Sequence, residues 1–134
     1  MTKVINMRNS IGRLVDTLNS YHRDLNILLN ISNEQNLLLH QKTIDRLYKS
    51  KLEKEKMLHK LQHESQRIQK FYQTWIEIDS KISPEQRLQI WRLLDSILQL
   101  THSVLTIEQE NQRLIESTKD ELLSQIQQFY FAKN

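Results

Sequence analysis

Residues 79–91 read DSKISPEQRLQIW, and the parsing of this stretch decides the fold. Ser83 is a natural helix N-cap, with a hydroxyl that can accept from a first-turn backbone N–H. Pro84 suits the first helical position, where its missing N–H costs nothing and its φ is already helical. A long helix therefore begins at Pro84, and the chain before Asp79 turns back here. With one proline and one glycine in 134 residues, the turn residues that a sheet protein needs are missing. The reading is all-α.

Upstream, Val4, Met7, Ile11, Leu14, Leu18, Tyr21, Leu25 and Leu28 advance by alternating steps of three and four, a coiled-coil seam. Continuing that ladder predicts apolar residues at Ser32, Gln35 and Lys42, where polar ones stand. A second seam begins at Ile44 and Leu47 and runs through Leu58, Leu61, Ile68, Tyr72, Trp75 and Ile82. The change of phase places a break or kink near HQKTID, residues 40–45. Thr43 is the expected cap of the second helix, and Asp45 is favourable in its first turn. No glycine marks a stop, so one continuous kinked helix satisfies the same pattern. After Pro84 the expected seam is Trp91, Leu94, Leu98, Leu105, Ile115, Leu122, Ile126 and Phe129. Ile90, Leu93, Ile97, Leu100, Val104 and Ile107 lie off it, so this helix is expected to be covered on two sides. The sequence thus predicts a single domain over residues 1–134. Its fold is an elongated antiparallel helical bundle or coiled coil of about three long helices, at about 3–40, 43–80 and 84–131.

Short connections make sequential helices antiparallel neighbours. Paired outward from the Ser83–Pro84 joint, position n on helix three lies opposite roughly 164 − n on helix two, to within about one turn. Glu108 and Glu110 then fall beside Lys54 and Lys56, and Lys119 beside Asp45. Leu98 falls in the paired core, and Trp75 and Trp91 pack together at the closed end. Helix three exceeds its partner by about ten residues, or roughly 15 Å. Leu122, Leu123, Ile126, Phe129, Tyr130 and Phe131 overhang, and an apolar stripe without an internal partner marks an interaction site.

Other chemistry is sparse. With no cysteine there is no disulfide framework and no thiolate metal site. The net charge is +3, but signs interleave, as in KSKLEKEKMLHK at residues 49–60, which reads as a solvated helix face rather than a nucleic-acid surface. Residues 1–19 hold no unbroken apolar run, so no membrane insertion is expected and the cytoplasm is the expected location. His59 and His63 share a helix face without a third ligand and read as surface residues. His22, His40 and His102 are scattered. Glu108 and Glu110 lie on different faces, and the lone Gly12 sits inside the first ladder rather than in a phosphate loop. No metal, cofactor or catalytic group is expected; the sequence reads as that of a non-enzyme.

Two motifs resemble the FlgN family of flagellar export chaperones. IDRLYKSKLEKEKMLHKL is similar to the family's spaced leucines, Glu-Lys and paired apolar step, at Ile44, Leu47, Glu53, Lys54, Met57, Leu58 and Leu61. ENQRLIE is similar to the Asn-x-x-Leu-Leu/Ile segment of the family's last helix, at Asn111, Leu114 and Ile115. Glu108 stands where the family often has a further asparagine. The resemblance implies a cytoplasmic chaperone that binds the C-terminal helices of the hook–filament junction proteins, FlgK and FlgL. It would keep them from assembling early and deliver them to the type III export gate. It places client contacts in the last helix, at Asn111, Leu114 and Ile115; the overhang adds Leu122, Leu123, Ile126 and Phe129. Tyr130 corresponds to a family tail tyrosine linked to gate docking, without the glycines that follow it there. Two other readings fit the composition: a structural coiled-coil protein that self-assembles through the same stripe, and a basic helical nucleic-acid binder.

Overall fold

The computed structural model describes residues 2–133, with side chains described for residues 10–132 apart from Ile44, Ile76 and Ile78. Val4 and Met7 of the first seam and Ile44 of the second therefore lie outside the described side chains. The order is α1 (Thr2–His40), α2 (Ile44–Gln73), α3 (Trp75–Asp79) and α4 (Pro84–Lys133). The described chain is an all-α bundle of three long helices with one short helical turn, α3, before the last.

Each joint has a local cause. At the start of α4 the Gln86 N–H donates to Ser83 Oγ, and the Ser83 N–H donates to Gln86 Oε1, both at 3.2 Å. This reciprocal capping box satisfies two backbone donors that a helix start otherwise leaves open. Arg87 closes the turn by donating to the Asp79 carbonyl at 2.6 Å and pairing with its carboxylate at 3.1 Å. At the end of α1 the Thr43 N–H reaches the Leu38 carbonyl and the Lys42 N–H reaches that of Leu39. Those are the two bonds of a Schellman stop, with Lys42 as its left-handed residue at φ 56°. The helices are separate, and Thr43 makes no side-chain cap. α2 ends at Gln73, short of the expected 80. There the Thr74 N–H and hydroxyl both turn back onto the Phe71 carbonyl, at 3.1 and 2.9 Å, and tighten the last turn.

α1 is the central helix. It packs along both α2 and α4, whose own backbones barely approach each other. Half of the buried core comes from it: Ile11, Leu14, Leu18, Leu25 and Leu28, against Leu61, Ile82, Ile90, Ile97 and Val104. This corrects the expected faces of the last helix. Its buried seam is Ile90, Ile97, Val104 and Asn111, a seven-residue repeat that looks at α1. The expected seam lies one residue round the helix, so Trp91, Leu98 and Leu105 are 57%, 68% and 55% exposed. The antiparallel register itself is close: Lys54 pairs with Glu108. Glu110 pairs instead with Arg113 on its own helix at 2.7 Å, and that guanidinium holds its carboxyl below the usual range. Lys42, rather than Lys119 or Asp45, ties the far end, reaching Glu121 at 3.1 Å. Trp75 and Trp91 both line one apolar cavity at the closed end.

Past Leu28 the core turns polar. Ser32 and Gln35 occupy the next seam positions and are buried. Ser32 Oγ donates to Glu108 at 2.6 Å, Lys54 Nζ reaches Gln35 Oε1 at 3.3 Å, and Asn36 donates to Asn111 at 3.0 Å. Asn111 Nδ2 in turn donates to the Ser32 carbonyl at 2.9 Å. The first ladder therefore does not break at Ser32; it exchanges apolar contact for hydrogen bonds, which fix register more than they add stability.

A second polar contact joins α1 to α2. Asp24, fully buried, lies 3.1 Å from Lys60 Nζ, and Ser20 Oγ donates to Glu64 Oε1 at 2.8 Å. Burial pushes the Glu64 carboxyl up and the adjacent Asp24 adds to it, against weaker help from Ser20 and Lys60. Burial also acts upward on Asp24, but the hydrogen bond from Glu64, Lys60 and Arg23 outweigh it and hold that carboxyl low.

Three outcomes follow from this packing. Ile97→Ala should lower unfolding free energy by about 2–5 kcal/mol in denaturant titration, and Leu98→Ala by under about 1 kcal/mol. Lys42→Gly relieves a left-handed side chain but deletes the exposed pair with Glu121, so the substitution should raise it by less than about 1 kcal/mol. For pH, the raised Glu64 contributes stability while protonated, lost as pH rises above its usual 4.5 through its folded value. The lowered Asp24 contributes stability while ionised, lost as pH falls below its usual 3.8 through its folded value. The pair's combined contribution is therefore fullest between those ordinary values, 3.8 and 4.5, and Glu64→Gln should flatten the fall in thermal midpoint on the alkaline side.

Candidate docking surface on the last helix

α4 is 50 residues long, against 39 for α1 and 30 for α2. The Ser32–Glu108 and Asn36–Asn111 bonds set α1 and α4 parallel, offset by about 75 residues. His40, the last residue of α1, then falls opposite Ile115 and Glu116. Beyond it, Thr118, Glu121 and Leu122 share a small cavity with Leu39, Lys42 and Leu47. Every described residue from Lys119 to Ala132 is exposed. This is a helix of about four turns whose apolar side chains stay largely exposed.

Those side chains keep to one side. Leu122 and Phe129 share a heptad position, Ile126 is one turn from each, and Leu123 and Tyr130 flank them. All are exposed, Phe129 at 61% and Phe131 at 78%. Phe129 and Tyr130 meet edge to face with centroids 6.3 Å apart. A second apolar set, Leu105, Leu98 and Trp91, lies nearer Pro84 at the heptad position of Ile126, on the edge of α4 that borders α2. On the facing edge of α2, Leu58 and Tyr72 are also exposed. The Lys54–Glu108 register brings Leu58 within one residue of the position opposite Leu105, and Tyr72 lines the same cavity as Trp91. This apolar edge is separated from the exposed end of α4 by Gln112 and Lys119, which fill the same heptad position.

The residues expected to bind a partner divide into two groups. Leu122, Leu123, Ile126, Phe129 and Tyr130 stand together on the exposed end, and Ile115 sits at its inner limit at 36% exposure. Asn111 does not join them. It is 2% exposed, and its amide is taken up by Asn36 and the Ser32 carbonyl, so it holds α4 to α1 instead of facing outward. Leu114, half-buried, lies on the flank of α4 away from α2. The edge residues Trp91, Leu98 and Leu105 were visible as a seam, but nothing in one helix shows which neighbour its seam will face.

His59 and His63 are both exposed. Among the described residues no group of three or more histidine, aspartate or glutamate side chains could hold a metal ion, and no helix is long and apolar enough to cross a membrane. No family model, curated protein or solved structure matches the chain.

If the bare end of α4 carries no internal contacts, Leu122→Ala, Ile126→Ala and Phe129→Ala combined should leave the thermal midpoint near that of the wild type. Ile97→Ala alone, from the buried seam, should lower it by several degrees.

Proposed function

We propose that this protein is a cytoplasmic flagellar export chaperone of the FlgN type. Its last helix holds the C-terminal helices of hook–filament junction proteins of the FlgK and FlgL kind. It keeps them from assembling early and passes them to the export gate, with Tyr130 as the gate contact. The observation that carries this reading is the apolar stripe of α4, which outruns both of its neighbours. An amphipathic helix laid along such a stripe gains apolar burial and needs no turnover chemistry. Withholding that helix from self-assembly is the whole of the activity. The two motifs that resemble the family support the same reading.

The test is binding of a purified junction protein's C-terminal helix to the full chain by calorimetry. Sub-micromolar to micromolar binding is expected, with the triple alanine variant weakened at least about thirtyfold, since a few aliphatic and aromatic anchors carry most of an interface. Absence of binding to the wild type would overturn the reading. An obligate oligomer by solution mass would favour a self-assembling coiled coil, because the same stripe would then be covered by a second copy. Binding to duplex DNA that weakens steeply with salt would favour a nucleic-acid protein.

A further inference from the structure

The charges of α2 interleave along the chain but separate in the folded protein. Lys51 pairs with Glu55 on one flank, and Lys54, largely withdrawn from water, reaches Glu108. What remains is a stripe. Arg46, Lys49, Lys56, Lys60, Arg67 and Lys70 fall in one series of three- and four-residue steps, which Glu53 and His63 complete. All eight are exposed. The stripe is about 36 Å long. It holds six cations to one carboxylate, whereas the whole chain has 19 to 16. Lys60 is matched by the buried Asp24; among the described residues the other five cations are in no ion pair.

Near the closed end α1 adds to this charge. The Ser20–Glu64 and Asp24–Lys60 contacts set α1 and α2 antiparallel and bring Arg13 across from Phe71. Arg13, Arg67 and Lys70 line an open hollow of about 530 Å³ together with Phe71, and Asp16 is the single carboxylate in its lining. The Thr17 and Thr74 hydroxyls beside it donate to carbonyls of their own helices, so the three cations are its free polar groups. Further along the same helix pair a second hollow sets Arg46 and Lys49 against Glu34 and Glu53, and its charge is balanced. The unmatched positive charge is therefore gathered on the stretch from Lys56 to Lys70 and at Arg13. Lys54 marks the side of α2 that meets α4, and the stripe lies on the far flank.

A straight row of charges at the helical repeat meets a second helix one turn at a time, at about 5.4 Å per turn. An acidic face with the same three- and four-residue spacing can pair with it along its length, and an apolar residue beside that face can rest on Phe71. Duplex DNA fits less well, because its phosphates wind away from a straight row and Asp16 and Glu53 would repel them. Helices that lie on anionic lipid carry large apolar residues beside their cations, and the hollow offers only the half-buried Phe71. A second copy is poorly matched too, since Glu110 and Glu121 of α4 are already paired with Arg113 and Lys42. We propose that the stripe from Lys56 to Lys70, with Arg13, is a docking surface for an acidic helical segment of a partner protein. It stands apart from the apolar end of α4 and does not depend on the chaperone reading.

The test uses the full chain and a fluorescent alanine-based peptide of about 20 residues with its glutamates in one helical stripe, read by anisotropy. Binding is expected at low salt and should fade as salt screens the charges. Arg13→Ala, Arg67→Ala and Lys70→Ala should each weaken it about two- to fivefold, and together at least about tenfold. Asp16→Asn should tighten it. Lys51→Ala and Arg92→Ala remove exposed cations off the stripe and should leave it unchanged. All six positions are exposed, so thermal midpoints should stay near that of the wild type. The combined Leu122→Ala, Ile126→Ala and Phe129→Ala variant should bind the peptide as the wild type does, which separates this surface from the chaperone site. No binding, or equal weakening by the Lys51 and Arg92 substitutions, overturns the proposal. So does equal binding of a peptide with the same glutamates scattered round the helix. Tighter binding to a short DNA duplex or to phosphatidylserine vesicles than to the striped peptide overturns the acidic helix as partner. A dimer mass that Arg67→Ala and Lys70→Ala abolish identifies a second copy as the occupant and overturns it as well.

Discussion

The carboxylate of Glu108 is bonded to Ser32 of α1 and to Lys54 of α2, so one side chain of α4 reaches both other long helices. That contact determines how far α4 has advanced when its neighbours stop. Sliding α4 by one turn would leave Lys54 and Glu108, both largely withdrawn from water, without their partners, at a cost of several kcal/mol. Asn111 adds a second lock one turn on, because its amide can satisfy both Asn36 and the Ser32 carbonyl only in this register. The apolar layers nearer Pro84 supply most of the burial free energy, but leucine against leucine tolerates slippage. The polar layer does not, and the length of bare helix beyond it is set by that layer.

The arrangement separates stability from display. Ile90, Ile97 and Val104 bury one face of α4 against α1, while Trp91, Leu98 and Leu105, a single residue further round, stay at the surface. A helix that is apolar over so wide an arc is unusual where one neighbour covers it, and it becomes economical if a second neighbour arrives later. The core does not use that edge, so the folded protein leaves it at the surface.

Much of this was legible from residue patterns, and the misses have physical causes. Ser83, Pro84 and Gln86 form a cap from contiguous residues, so sequence sufficed to place it. The stop after α1 was harder, because Lys42 fills the left-handed position where glycine would have announced it. The first ladder looked broken at Ser32 and Gln35 because a hydrophobic pattern cannot see hydrogen bonds that arrive from residues 19 to 79 positions away. The seam of α4 was found but given to α2. Two apolar faces one residue apart give equal periodicity, and only the three-helix packing decides which is buried. Asn111 was placed with the docking residues by resemblance, whereas its heptad position, shared with Ile97 and Val104, is that of the core. The overhang was predicted correctly because it depends on helix lengths and on one opposite-charge register.

The central claim is that the outer edge of α4 is held open for a partner helix. Hydrogen exchange resolved along the chain, with and without a junction protein's C-terminal helix, addresses it most directly. In the free protein, amides of residues 119–132 should exchange far faster than those of 90–111, since their side chains are exposed. On adding the partner helix, protection should rise across 119–132 and, more weakly, along 91–105, with α1 unchanged. Strong protection of 119–132 in the free monomer, or a gain confined to α1, would contradict the account.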